Sequence, residues 1–464
     1  MEPVMDAGMN QGATVRYTAP LQIIAAFVLL SAPFWLPFLL FPSRGISTPW
    51  DWITILLLIV FAFGAVMFVS RADGFLRRVM VVGLLCKLVA CSASIYLAFY
   101  VYNSSADALN YANAGRIIAT RFLDSGEWTL LQPVWSSNFI RTATGALFVV
   151  TGPSLAVGTV VFALIAFCGQ YLSYRAFCHA IAASAADRRL AAMLLFLLPS
   201  LVFWSSSIGK DALSAFFIGL VCYGYARLDR SSRASYFVPM LAGLAGILLV
   251  RPHVALMMGI ALVFPYLLAK NASGMRGMLV RVVGLPLLLG VTLYLGVAAR
   301  QFLAIDDLSQ SSNAINRVNN NNRSGGSAMD AEGSSAVRAL SAPFLFFRPF
   351  PWEIHNVQAA LASAEGMLLL IICYRNRRHI IMAVRNWRST PFTVFLLVFL
   401  VEFSLIFSAA ISNFGLLARE RIMATPLLLM ICVPAAQGRM LRREEEVSLE
   451  QWPDPVQASS PAYR

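Results

Sequence analysis

Charge is what this chain has least of. Aspartate, glutamate, lysine and arginine make up only 13% of its 464 residues, against roughly 25% in soluble domains. Apolar residues supply 58%, a balance that excludes an ordinary soluble domain and points to a bilayer. Histidine is nearly absent: the four present are widely scattered, which argues against a histidine metal cluster. Seven cysteines occur (Cys86, Cys91, Cys168, Cys178, Cys222, Cys373, Cys432), all in or beside apolar runs. With none in a long polar loop, neither a disulfide framework nor a CxxC metal site is expected. No internal repeat stands out, and residues 1–19 lack the pattern of a cleavable signal peptide.

What the chain does have is apolar length. Twelve stretches of roughly 16–24 residues approach the ~20 needed to cross a bilayer core. They fall near 20–41, 52–69, 79–101, 146–171, 189–205, 212–226, 235–250, 253–269, 282–300, 357–374, 390–411 and 422–437. The expectation is an all-α polytopic membrane protein of about 12 spans. The loops 71–78, 172–188, 227–234, 270–281 and 375–389 are short and rich in arginine or lysine. They alternate in the count, as cytoplasmic loops do under the positive-inside bias. Both termini then lie in the cytoplasm, with 1–19 as a leading segment, 20–437 as the membrane domain and 438–464 as a tail. The net charge of +13 could suit nucleic acid, but the cations sit beside apolar runs. Their expected partners are anionic lipid headgroups and the insertion machinery, not nucleic acid.

This threading gathers the chemistry on the opposite face. Outer loop 102–143 carries Leu109, Ala112, Ile117, Ile118 and Phe122 at three- to five-residue steps against Asn110, Asn113, Arg116 and Arg121. That spacing predicts an amphipathic helix on the membrane surface, with Trp128 and Trp135 suited to the interface. Outer loop 301–355 contains a Ser/Asn/Gly-rich stretch, 309–335, with too little apolar surface to pack. It is followed by PFLFFRPFPWE around Arg348 and Glu353, read as a second interfacial or re-entrant element. Short turns carry Trp204 through Asp211, Arg251-Pro252-His253, and Asn413 through Arg421. A carboxylate beside a hydroxyl-bearing substrate can act as general base. Clustered guanidiniums can hold a phosphate bidentately.

Several of these segments resemble a known superfamily. Asp107 and Tyr111 in SADALNYANAGRIIA resemble the D-x-x-x-Y…A pattern of the first outer loop of GT-C glycosyltransferases, multi-spanning enzymes that use polyprenyl-phosphate sugars. The run RRLAAMLLFLLPSLVFWSSSIGKDALSAFFIGLVCYGYARL is similar to their span ending in Pro-Ser, followed by an acid opening the next span. NFGLLARERIMATPLLLMI is similar to the Asn-x-Gly…Arg-x-Arg…Pro segment of several surface-polysaccharide transferases and polymerases. The likeness covers about residues 100–270 and the C-terminal end. Two departures matter. Asp107 stands alone where many members carry two acids, and Lys210-Asp211 replaces a Ser/Thr/Arg-Glu pattern. Metal use is therefore open, since the residues name no cofactor or metal ligand but leave a divalent ion conceivable.

Each candidate has a structural alternative. Asp107 is a catalytic base or a helix N-cap, and Tyr111 is a substrate contact or an interface anchor. Lys210 and Asp211 serve the substrate or form a neutralised pair at a helix start. Arg251 binds phosphate or pairs with an acid such as Asp211, and His253 lines the site or fills a turn. Arg419 and Arg421 contact phosphate or snorkel. Arg348 and Glu353 are further substrate-binding candidates. Lys87 and Glu402, inside spans, are functional or mutually paired.

What the resemblance implies is an inverting glycosyltransferase of a bacterial inner (plasma) membrane, with its active site facing the periplasm. Asp107, with Asp211 as second candidate, would activate an acceptor hydroxyl. Lys210, Arg251, Arg419 and Arg421 would receive the leaving lipid phosphate. The donor is a polyprenyl-phosphate or pyrophosphate sugar, and the acceptor a lipid or polysaccharide. An O-antigen or exopolysaccharide polymerase or ligase would use the same face. A polysaccharide transporter or flippase would instead show broken helices and two similar halves.

Overall fold

Apolar runs with little charge can satisfy their backbone inside a bilayer only as helices or closed barrels, and here they form helices. The computed structural model describes residues 49–102, 106–181, 183–231, 233–268, 285–303, 341–387, 390–411 and 413–433. The expected span 20–41, the loop 309–335 and the terminal segments 1–19 and 438–464 lie outside them. The helices are α1 (Pro49–Val69), α2 (Gly74–Tyr96, continued by a π-turn Leu97–Val101), α3 (Asp107–Ser125), α4 (Ser137–Thr151) and α5 (Leu155–Ala180). Then come α6 (Ala185–Leu197), α7 (Pro199–Phe203), α8 (Lys210–Ser231), α9 (Phe237–Val250), α10 (Pro252–Leu268) and α11 (Leu285–Leu303). The last are α12 (Val357–Arg375), α13 (Arg377–Arg385), α14 (Pro391–Ala410), α15 (Phe414–Glu420) and α16 (Thr425–Cys432). Among the described residues there is no β-strand.

Five helical stretches are long and apolar enough to cross a membrane: Trp50–Val69, Gly74–Val101, Leu155–Ala180, Val357–Arg375 and Pro391–Ala410. Large apolar side chains such as Leu57, Phe61, Val357 and Leu361 stand exposed on them. A surface of that kind needs an apolar neighbour, lipid or protein.

Three of the expected spans are divided. The run 146–171 splits into α4 and α5 at Gly152-Pro153-Ser154. There Gly152 takes φ +82°, a conformation natural to glycine, and Ser154 caps α5 by accepting from Val157 N at 3.3 Å. The run 189–205 breaks at extended Leu198, ahead of Pro199, as a residue preceding proline prefers. In the described part of the run 422–437, a 3₁₀ turn at Arg421–Met423 precedes α16. Hydrophobicity alone cannot register these breaks, because small and apolar residues build them.

The α3 helix is amphipathic, as the spacing predicts, but much of its apolar side is covered by protein, with Ile117 left exposed. Leu109, Ala112, Ile118 and Ala119 are buried, and α3 packs against α4. The approach is close, since a Cβ on Gly115 would lie 2.7 Å from Thr144 Cγ2 and one on Gly145 2.7 Å from Ile118 Cγ2.

At the centre, α5 and α8 cross where each presents glycine. A Cβ on Gly169 would meet the Ala215 carbonyl oxygen at 2.3 Å, and one on Gly219 the Gly169 oxygen at the same 2.3 Å. Small residues at such crossings let backbones approach within membranes. Gly169→Val is expected to force the pair apart, since overpacking typically costs about 1–3 kcal/mol and occasionally more. The melting temperature of the purified variant in detergent should fall. An unchanged value would mean that the crossing adapts without strain.

The short helix α7 explains two ions buried among apolar helices. Helix ends leave N–H groups unpaired at the start and carbonyls unpaired at the finish. At the N-terminal end of α7, Glu365 of α12 accepts from Ser200 N at 2.8 Å and from Ser200 Oγ at 2.5 Å. At the other end, Lys87 Nζ donates to the carbonyls of Leu201 (3.4 Å) and Val202 (3.5 Å) and to Ser205 Oγ (2.7 Å). An anion at the start and a cation at the finish also complement the helix dipole. Lys87 is therefore spoken for by α7, and the expected alternative of pairing with Glu402 is not realised.

Candidate functional site

Four separate segments deliver charged side chains to one place: the first turn of α3, the first turn of α8, the α9–α10 joint and the end of α15. Local sequence sets each position. Pro252 stops α9 and opens α10, leaving Arg251 between them at φ −146°, ψ 84°. Asn413 caps α15 by accepting from Gly415 N at 2.8 Å and Leu416 N at 3.3 Å. Asp211 sits in the first turn of α8, where the dipole favours an acid. Asp107 is the first residue of α3 behind Ala106, and the N-cap makes no side-chain bond. Asp107 is thus not a cap.

The ions form a continuous chain. Arg419 Nε donates to Asp211 Oδ2 at 2.5 Å, and its Nη1 donates to Asp107 Oδ2 at 3.3 Å. Arg251 Nη2 donates to Asp211 Oδ1 at 2.6 Å, while Arg251 Nη1 pairs with Glu420. Both oxygens of Asp211 are therefore taken by different arginines. Exposure divides the chain in two. The side chains of Asp211, Arg251 and Glu420 are 5%, 7% and 11% exposed, whereas Arg419 is 26% and Asp107 58% exposed.

The electrostatics follow from that arrangement. Burial alone would push the Asp211 carboxyl up, but the Arg419 and Arg251 charges outweigh it and hold it below the ordinary carboxylate range. Asp211 is consequently a fixed anion. Its stabilising contribution is present above the unfolded value near ~3.9 and is lost only in stronger acid, as pH falls through the lowered folded value. Half-buried Lys210 makes no hydrogen bond or ion pair with any described residue. Burial lowers its ammonium pKa first and the Arg251 charge second, with Asp107 and Glu420 opposing.

Several sequence candidates take structural duties instead. Asp211, the second base candidate, is buried between two arginines that take both of its oxygens. Arg251 has both ends of its guanidinium engaged by carboxylates, the pairing with Asp211 that was its structural alternative and a second one with Glu420. Arg421 is fully buried, donating to the carbonyls of Phe346 (3.3 Å), Arg348 (2.9 Å) and Ala362 (3.1 Å) and to Glu365 (3.2 Å). It ties these segments together inside the protein. Arg348 pairs with Glu353, which also accepts from Phe350 N at 2.7 Å. The Arg348 guanidinium lies 5.3 Å from the centre of the Phe414 ring. This pair closes its own loop against α15. Tyr111 is buried with its hydroxyl 3.4 Å from Ser137 Oγ, and burial raises its pKa. His253 lies 6.0 Å from the Phe407 ring.

One acid of the cluster, Glu420, and one of the supporting interior, Glu365, were not among the sequence candidates. Glu420 lay between the two arginines singled out, but nothing in its spacing shows that it faces Arg251. Glu365 lies inside an expected span, and intramembrane charge was the signal available for it. Among the described residues no group of three His, Cys, Asp or Glu is arranged to hold a metal. The acids of the cluster face arginines instead of one another. Comparison with protein-family models, curated proteins and solved structures gave no match.

Proposed function

We propose that this chain is a GT-C-like membrane glycosyltransferase of a bacterial inner membrane, acting at the periplasmic face on a polyprenyl-phosphate sugar. The observation that carries the reading is the split between accessible and buried ions. Asp107, Arg419 and Lys210 are the more exposed charges, while buried Asp211 holds Arg419 and is itself held by Arg251, which also pairs with Glu420. Asp107 has the exposure and proximity to cations that suit a base taking a proton from an acceptor hydroxyl. Arg419 and Lys210 supply donors for the phosphate that leaves the anomeric carbon. In a partly dry site such preset donors carry much of a rate gain.

Arg419 has a second duty in this scheme. A lipid phosphate arriving at its Nη1 competes with Asp107, whose contact at 3.3 Å is the longest of the chain. Donor binding would then release the carboxylate for proton transfer.

The test of the reaction class is the lipid-linked sugar pool of the producing organism with and without this protein. A transferase leaves a single-sugar polyprenyl phosphate unused, and a polymerase or ligase leaves a lipid-linked oligosaccharide. An unchanged pool would overturn both. Arg419→Lys tests the phosphate contact. One ammonium cannot reach both carboxylates and the phosphate as a planar fork does, and a charge-assisted hydrogen bond is worth about 1.5–3 kcal/mol. The donor KM should rise roughly 10- to 100-fold with the acceptor KM unchanged. Equal shifts in both would remove Arg419 from the donor site.

A further inference from the structure

Away from the charged cluster, two thiols meet. Cys373 lies in the last turn of α12 and Cys432 ends α16, and their Sγ atoms are 3.0 Å apart although 59 residues separate them in sequence. Both are free. A disulfide needs an S–S separation of about 2.05 Å, so these sulfurs would close by only about 1 Å. The backbones are already pinned, because Asn376 Nδ2 donates to the Cys432 carbonyl at 2.8 Å. Cys432 is buried, while Cys373 is half-buried next to exposed Tyr374 and Arg375.

We propose that Cys373 and Cys432 form a redox modification site, joined by a two-electron thiol oxidant into a cross-link between α12 and α16. With the diazene diamide as oxidant, the more accessible Cys373 sulfur adds to the N=N bond. The Cys432 sulfur then attacks Cys373, forming S–S and displacing the hydrazine, which carries away both thiol protons and both electrons. The location gives the bond a structural role. Arg421, a few residues before α16, already grips α12 through the Ala362 carbonyl and Glu365. Oxidation would fasten the same two segments again nearer their other end, steadying the strand of chain that also carries Arg419 and Glu420. This inference does not depend on which substrate the charged cluster serves.

The experiment uses the full-length protein, purified in detergent, reduced, then treated with diamide and digested. The expected product is a peptide joining Cys373 to Cys432, two hydrogens lighter than the separate peptides and reversed by dithiothreitol. The melting temperature should rise on oxidation. Cys373→Ser and Cys432→Ser should each abolish the linked peptide while N-ethylmaleimide still labels the exposed Cys86 and Cys168. If a variant does not fold, differential alkylation of the wild-type chain decides the matter. The proposal is overturned if both thiols stay alkylatable after diamide has consumed Cys86 and Cys168, or if the linked peptides join other cysteines.

Discussion

Under the proposed reaction, Asp107→Asn is expected to abolish most sugar transfer while leaving the protein folded. Asparagine keeps the size of the side chain and an oxygen that can still accept from Arg419, but it cannot take a proton at neutral pH. General-base contributions are typically ~10²–10⁴-fold, and a loss of that order in kcat is the predicted result. Because the Asp107 side chain is 58% exposed and its ion pair with Arg419 spans 3.3 Å, little stability is at stake. Thermal unfolding in detergent should therefore match that of the parent chain. Retention of most activity by a purified Asn variant would leave Asp107 as a surface partner of Arg419, and the base would have to be sought elsewhere.

Arg251→Ala is expected to have the largest effect on stability. Its guanidinium is enclosed between Asp211 and Glu420, and removing it strands buried Glu420 and leaves Asp211 with Arg419 alone. Breaking one side of a buried ion pair typically costs about 3–5 kcal/mol. The variant should show a sharply lowered melting temperature or fail to accumulate in membranes. Arg251→Lys should recover part of the loss, since one ammonium can face only one of the two acids well. If Arg251→Ala folded normally but lost donor binding, the arginine would return to the substrate side of the site.

The helical class and many element limits could be read from the sequence, and the reasons are local. A long apolar run such as 357–374 or 390–411 has few alternatives to a helix, and the structure places α12 and α14 there within a residue or two. The breaks at Gly152-Pro153 and Leu198-Pro199 were harder, because hydropathy averages across them. For the cluster, sequence order could nominate Asp107, Lys210, Asp211, Arg251 and Arg419 as neighbours on one face. It could not rank them by depth. Whether an arginine is available depends on which acid reaches it across the fold. Arg421 and Arg419 sit two positions apart, yet one is walled in beside α12 and the other is partly exposed. Only tertiary packing separates them.

The capping of α7 has a consequence for the order of events during synthesis. The acid that completes Ser200 lies 165 residues downstream, so the ribosome delivers the unsatisfied helix start long before its partner exists. Throughout that interval the segment around Ser200 must remain wet, or be sheltered by the insertion machinery. A chain cut short before Glu365 would keep this defect permanently. A fragment ending before Glu365 is therefore expected to be less stable than the full chain, which limited proteolysis of the two would check.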